Sequence, residues 1–237
     1  MATREHVLWR EISAALVEAP NVTKTLVEAV RERAGLRSGL LVRLSGEAAG
    51  SVEKKKLGCA SAALELLELS LCLQEETSLA GMGVRPLEQF RVADFLYAKG
   101  LRMATELPTD VAREILDEAC RLKSDRLPGR DLDWGEHVKD SEHAELEQAY
   151  RKWGRFAGVC CKVGAMLGRC EEEIREALIE YGYCVGMAVA SEAGSAVFYR
   201  KKAVSCLSAL PESEAKSLLL AVPDAFMLGK GREFLDV

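Results

Sequence analysis

Between Leu57 and Leu73 the chain reads LGCASAALELLELSLCL. Apolar or small residues cover nearly every face of this segment when it is wound as a helix. Such a helix is buried on all sides, so other helices must surround it. The predicted element runs over residues 52–76. Glu65 and Glu68 interrupt it three residues apart, and a charge there is costly unless it is paired or faces water. Three readings are open at this stage: one narrow polar stripe, the wall of a wet cavity, or buried pairs with arginines. The segment ends in Glu75 and Glu76, before the glycine-rich turn SLAGMGVRP. Those two acids are either a helix end that has reached water or carboxylates that hold a metal ion.

The rest of the chain supplies helices to surround it. Alanine, leucine, glutamate and arginine are abundant, and β-branched runs are short. The pattern predicts helices over residues 4–18 and from Asn21 or Thr23 to Gly35. SGLLVRLSGEAAG is a weaker helix by propensity. Further helices are expected in LEQFRVADFLYAKGLRMATEL, in TDVAREILDEACRLKS with Thr109 as cap, and in HAELEQAYRKWGRFAGVCCKVGAMLG. The glycine- and cysteine-rich half of that last segment is expected to pack closely. CEEEIREALIEYGYCVGMAVASEAG starts acidic, as a helix N-terminus favours, and Pro211 stands near another helix start. Residues 124–142 form the most polar stretch and read as an exposed connection. The expectation is one all-α domain over residues 1–237, with nine or ten helices.

With 237 residues the chain can bury a real core. Its net charge of −5, with both signs interspersed, gives no nucleic-acid footprint. The charged N-terminus is unlike a signal peptide, and no apolar run approaches the roughly 18 residues that suggest a membrane span. A cytoplasmic location is expected. Eight cysteines without a CxxC read as small buried hydrophobes rather than a disulfide framework. His137 and His143 read as surface residues.

Several segments, in order, resemble the trans-isoprenyl diphosphate synthases, or polyprenyl synthetases. AALELLELSLCLQEE resembles the family helix AALELIHTASLIHDD, which opens the first aspartate-rich motif. VADFLYAKGLRMATEL is similar to GDYLLARAFELLAEL, PGRDLDW to GQxLDL, KWGRFAGVCCKVGAMLG to KTARLFRAACELGAILAG, and IREALIEYGYCVGMAVA to LREYGxxLGLAFQ. The resemblance spans residues 40–220. It implies an isoprenoid-synthase-type bundle around a central cavity. It also implies magnesium held between two aspartate motifs to neutralise a departing diphosphate.

The motifs themselves depart from the family. The first reads Glu75-Glu76-Thr77-Ser78-Leu79, and the arginine pair after it is missing, with Arg85 as a candidate substitute. The second reads Val189-Ala190-Ser191-Glu192-Ala193-Gly194, leaving Glu192 as its one acid. The isopentenyl-diphosphate-binding GKRxRP aligns with Gly35-Leu36-Arg37-Ser38-Gly39, with Arg37 one place off. Lys152 stands at the family's KT position and Asp133 reads as a turn residue. The candidate diphosphate contacts are therefore Lys152, Arg85 and Arg37. The degenerate metal motifs are Glu75 with Glu76, and Glu192. No residue is assigned as a catalyst or metal ligand, and magnesium is implied only if activity is retained.

The expected function is a catalytically degenerate subunit of a prenyl diphosphate synthase. It would pair as a homodimer, or as a heterodimer with a catalytic chain. The alternatives are an isoprenoid- or apolar-ligand-binding protein, a magnesium-dependent enzyme using Glu75, Glu76, Glu192 and Lys152, and a structural homodimer partner.

Overall fold

The computed structural model describes residues 4–17, 19, 21–31, 37–75, 85–125, 147, 149–191 and 193–227. The described residues form helices and no strands. The apolar segment becomes α4 (Lys54–Glu75), and it organises the bundle. One side of α4, with Leu57, Leu64, Leu67 and Leu71, enters the larger apolar core. The other side, with Ala62, Leu66, Leu69 and Leu73, packs in a second cluster with residues of α1 (Arg4–Ala15), α2 (Asn21–Arg31) and α5 (Pro86–Ala104). Two cores on opposite sides explain why the sequence shows no polar face. Each fully buried leucine contributes roughly 2 kcal/mol by area. Contrary to the expectation that no apolar run approaches a membrane span, α4 is long and apolar enough to cross a bilayer by length and hydropathy. In the bundle, 83% of its apolar window is buried.

SGLLVRLSGEAAG forms α3 (Ser38–Ala49), nearly all of it buried. Packing overrides its weak propensity. Ser45 Oγ donates back to the Leu41 carbonyl at 2.6 Å, satisfying the hydroxyl inside the core. α6 spans Thr109–Ser124, but Thr109 is its first helical residue and Pro108 holds the cap position. Proline fixes its own φ and biases the residue before it away from helix, so the helix starts after it. The polar stretch 124–142 falls almost entirely outside the described residues, as does Asp133.

α7 (Arg155–Gly168) and α8 (Glu172–Ala190) carry the small residues of the second half. A π turn, Tyr150–Gly154, leads into α7. The expected close packing is present. A Cβ at Gly164 would collide with the Val42 carbonyl and Ser45 Oγ of α3, and one at Gly182 or Gly186 with the carbonyls of Ala157 or Trp153. Arg155 ties α7 to the end of α6: its Nε lies 3.0 Å from Glu118 Oε1 and its Nη2 2.8 Å from Asp125 Oδ2. The chain closes with α9 (Ala193–Cys206), a 3₁₀ turn, and α10 (Glu214–Met227). Among the described residues this makes ten α-helices.

Tyr181, fully buried on α8, donates its hydroxyl to the Leu219 carbonyl of α10 at 2.7 Å. Tyr181→Phe keeps the ring and orphans that carbonyl. The expected cost is about 1 kcal/mol, read as a lower urea midpoint with an unchanged slope.

Candidate functional site

The site is built where α4 passes the start of α3. Arg37 precedes α3, and the first amides of that helix have no partner within it. They point at α4. Ser38 N donates to Glu68 Oε2 at 2.8 Å, and Gly39 N donates to Glu65 Oε2 at 2.8 Å. Ser38 Oγ also donates to Glu65 Oε2, at 3.3 Å. Glu65 and Glu68 sit one helical turn apart on α4, so a single face delivers both carboxylates to one helix end. The partial positive charge of α3's N-terminus favours them there. None of the three open readings named this arrangement: backbone amides, rather than arginine side chains, receive the two acids.

The electrostatics are tight. Glu65, Glu68 and Arg37 are 1%, 0% and 7% exposed. Burial pushes the Glu68 carboxyl up to about 7, and the neighbouring Glu65 charge pushes the same way. The Ser38 hydrogen bonds and the Arg37 charge oppose that rise. Glu68 Oε1 and Arg37 Nη1 are both buried without a hydrogen-bond partner among the described residues. The α3–α4 contact therefore holds buried polar atoms left unsatisfied among the described residues.

The other sequence candidates lie elsewhere. Glu75 is the last residue of α4 and is exposed. Glu76 and Glu192 lie outside the described residues. Lys152 belongs by its backbone to the π turn, and its side chain is outside the description. Arg85 is exposed at the N-cap position of α5, where its backbone amide donates to Glu88 Oε2 and its guanidinium pairs with the same carboxylate. That local pairing holds Glu88 below the usual carboxylate range. Of the described candidates, Arg85 thus pairs with its helix neighbour Glu88, and Arg37 acts by its charge on Glu68. Among the described residues no three His, Cys, Asp or Glu side chains converge as metal donors.

Sequence reasoning treated Glu65 and Glu68 as features of a helix face. One signal was available: in the family helix AALELIHTASLIHDD the position of Glu68 is a histidine. A neutral or cationic ring becomes an acid at the one turn that faces the start of α3.

No family model matches the chain. A geranylgeranyl diphosphate synthase of Methanosarcina mazei is 28% identical over 98 residues, which are 40% of this chain and 30% of that enzyme. The matched segment therefore spans under a third of the curated relative. A geranylgeranyl pyrophosphate synthetase from Pyrococcus horikoshii superposes with a TM-score of 0.76 at 17% identity, covering 94% of this chain and 95% of that one. A polyprenyl synthase from Caulobacter crescentus, solved with calcium and isoprenyl diphosphate, gives 0.75 at 14% identity, covering 94% and 93%. The chain has the all-α fold of the trans-isoprenyl diphosphate synthases and, over that segment, is similar in sequence to one of them.

Proposed function

We propose that this chain is a catalytically degenerate prenyl synthase subunit, acting through a partner chain rather than by its own prenyl transfer. The observation that carries the reading is Glu68 at the start of α3, an acid where the family helix has a histidine. By the resemblance, this segment aligns with the motif that binds isopentenyl diphosphate. A helix N-terminus attracts a phosphate through its free amides. Here two carboxylates of the same chain already accept from those amides. An entering diphosphate would compete for them and meet Glu68, an acid that the family helix lacks. Arg37 offers one charge against that.

The loss of the aspartate pairs points the same way. A chain without them retains the bundle and its helical faces, which is what a subunit needs. A heterotetrameric geranyl pyrophosphate synthase from mint shares the fold, with a TM-score of 0.61, and offers a precedent for mixed assembly.

The test uses labelled isopentenyl diphosphate, an allylic diphosphate and magnesium with the purified chain alone. No labelled prenyl product is expected, and calorimetry should detect no binding of isopentenyl diphosphate. Adding a catalytic prenyl synthase is expected to give a complex with altered product length or rate. Magnesium-dependent product from the chain alone would overturn the reading.

A further inference from the structure

We infer that a cavity at the end of the bundle remote from Glu75 binds an α-amino acid with an apolar side chain. The cavity measures about 480 Å³, a size common among small-molecule sites. Three inter-helix turns wall it. Glu53 comes from the α3–α4 turn, Pro108 from the α5–α6 turn and Arg169 from the α7–α8 turn. α4 runs from Lys54 to Glu75, so at its rise per residue roughly 30 Å separate this cavity from the acid at the other end.

Four charged residues line the cavity, and they are not equivalent. Lys56 Nζ lies 2.7 Å from Glu53 Oε2, so these two neutralise each other. Arg169 and Asp110 have no ion-pair partner among the described residues. The cavity thus presents one unpaired cation and one unpaired anion. Val52, Val111, Met166 and Leu167 add an apolar wall beside them. A molecule that answers all three features has a carboxylate for the guanidinium fork, an ammonium for Asp110, and an apolar group for the wall. An α-amino acid carries all three on one carbon. A diphosphate would meet Glu53 and Asp110 as like charges.

The backbone at Arg169 is a second, independent observation. This residue ends α7 with φ 55 and ψ 39, the left-handed conformation. Among the described residues it is the one non-glycine with a positive φ. Glycine suits that position better, and its strain is of the kind that collects at ligand clamps. What arginine supplies there and glycine lacks is the charged side chain.

The experiment labels the methionine methyls of the full chain with carbon-13 and titrates in unlabelled L-leucine, L-methionine and L-phenylalanine in turn. At least one is expected to shift the Met166 methyl saturably, with that signal assigned by Met166→Leu. The methyl of Met187, buried on α8, should stay in place. For the amino acid that binds, the matching acid without its ammonium and the matching amine without its carboxylate should each bind at least about tenfold more weakly. Arg169→Gly should melt higher than wild type in the absence of ligand, yet bind at least about tenfold more weakly, a combination that a merely structural arginine would not give. Asp110→Asn should weaken binding to a similar extent. The proposal is overturned if none of the three amino acids gives a saturable Met166 shift. It is also overturned if the acid or the amine alone binds as tightly, or if the charge variants bind like wild type. Should Arg169→Gly fold poorly, Asp110→Asn decides. The readout involves no prenyl transfer, so its failure is separate from failure of the proposed function.

Discussion

Glu68→Gln is expected to stabilise the protein at pH 8 by on the order of 3 kcal/mol and to change it little at pH 4. Glutamine has nearly the shape of glutamate. Its amide oxygen can accept from Ser38 N as Glu68 Oε2 does at 2.8 Å. What the substitution removes is a charge held in a fully buried place. In the folded chain the Glu68 carboxyl titrates near 7, against its ordinary value of 4.5. Between those values the folded state holds a proton that the unfolded state has released. Stability therefore falls as pH rises through this window and levels off above 7. Below 4.5 both states are protonated and the group contributes no slope.

Urea unfolding of wild type and variant in parallel, from pH 4 to pH 8, checks this. The difference between the two removes the titration of all other groups. It should open between pH 4.5 and 7. An equal gain at both ends, or a loss throughout, would mean that the carboxylate's charge is not the destabilising element. A loss at pH 8 would in particular show that α3's N-terminus favours the anion more than burial disfavours it.

The same pair shows what a sequence can and cannot disclose. The full burial of α4 was legible, because apolar residues on every face leave no other solution. The close packing of α7 and α8 was legible from their glycines. The helicity of α3 was weak by local propensity, because serines and glycines score poorly, and it comes, as packing could provide, from neighbours distant in the chain. The amide–carboxylate contacts of Ser38 and Gly39 with Glu68 and Glu65 span 30 and 26 residues. Local spacing cannot show such a contact. It could be suspected only from the acid that replaces the family histidine. Glu75, by contrast, was conspicuous as half of an acidic pair, yet it sits exposed at the helix end. Conspicuous charge and buried charge were different residues.

Gly164→Ala is expected to destabilise the chain by about 3 kcal/mol and lower its melting temperature by roughly 6–12 °C. On propensity alone the change should help, since alanine in a helix is favoured over glycine by about 1 kcal/mol. The contact decides otherwise. The added methyl would overlap the Val42 carbonyl and Ser45 Oγ and lie 2.8 Å from the Gly46 amide. Two of these three atoms belong to the backbone of α3, and no rotamer change can move them. The third, Ser45 Oγ, is held by its bond to Leu41. Relief requires α3 and α7 to separate, and α3 also presents its first amides to Glu65 and Glu68. The damage should therefore reach the candidate site, where loosened contacts would flatten the pH dependence expected of Glu68. Gly194→Ala is the matched control. It stands in α9 with nothing within 4 Å of the new methyl, so the propensity gain alone should operate and stability should rise slightly. Thermal melts of both variants separate the two effects: equal stabilisation would show that α3 and α7 do not meet as closely as the glycines imply, and opposite signs are the expected result.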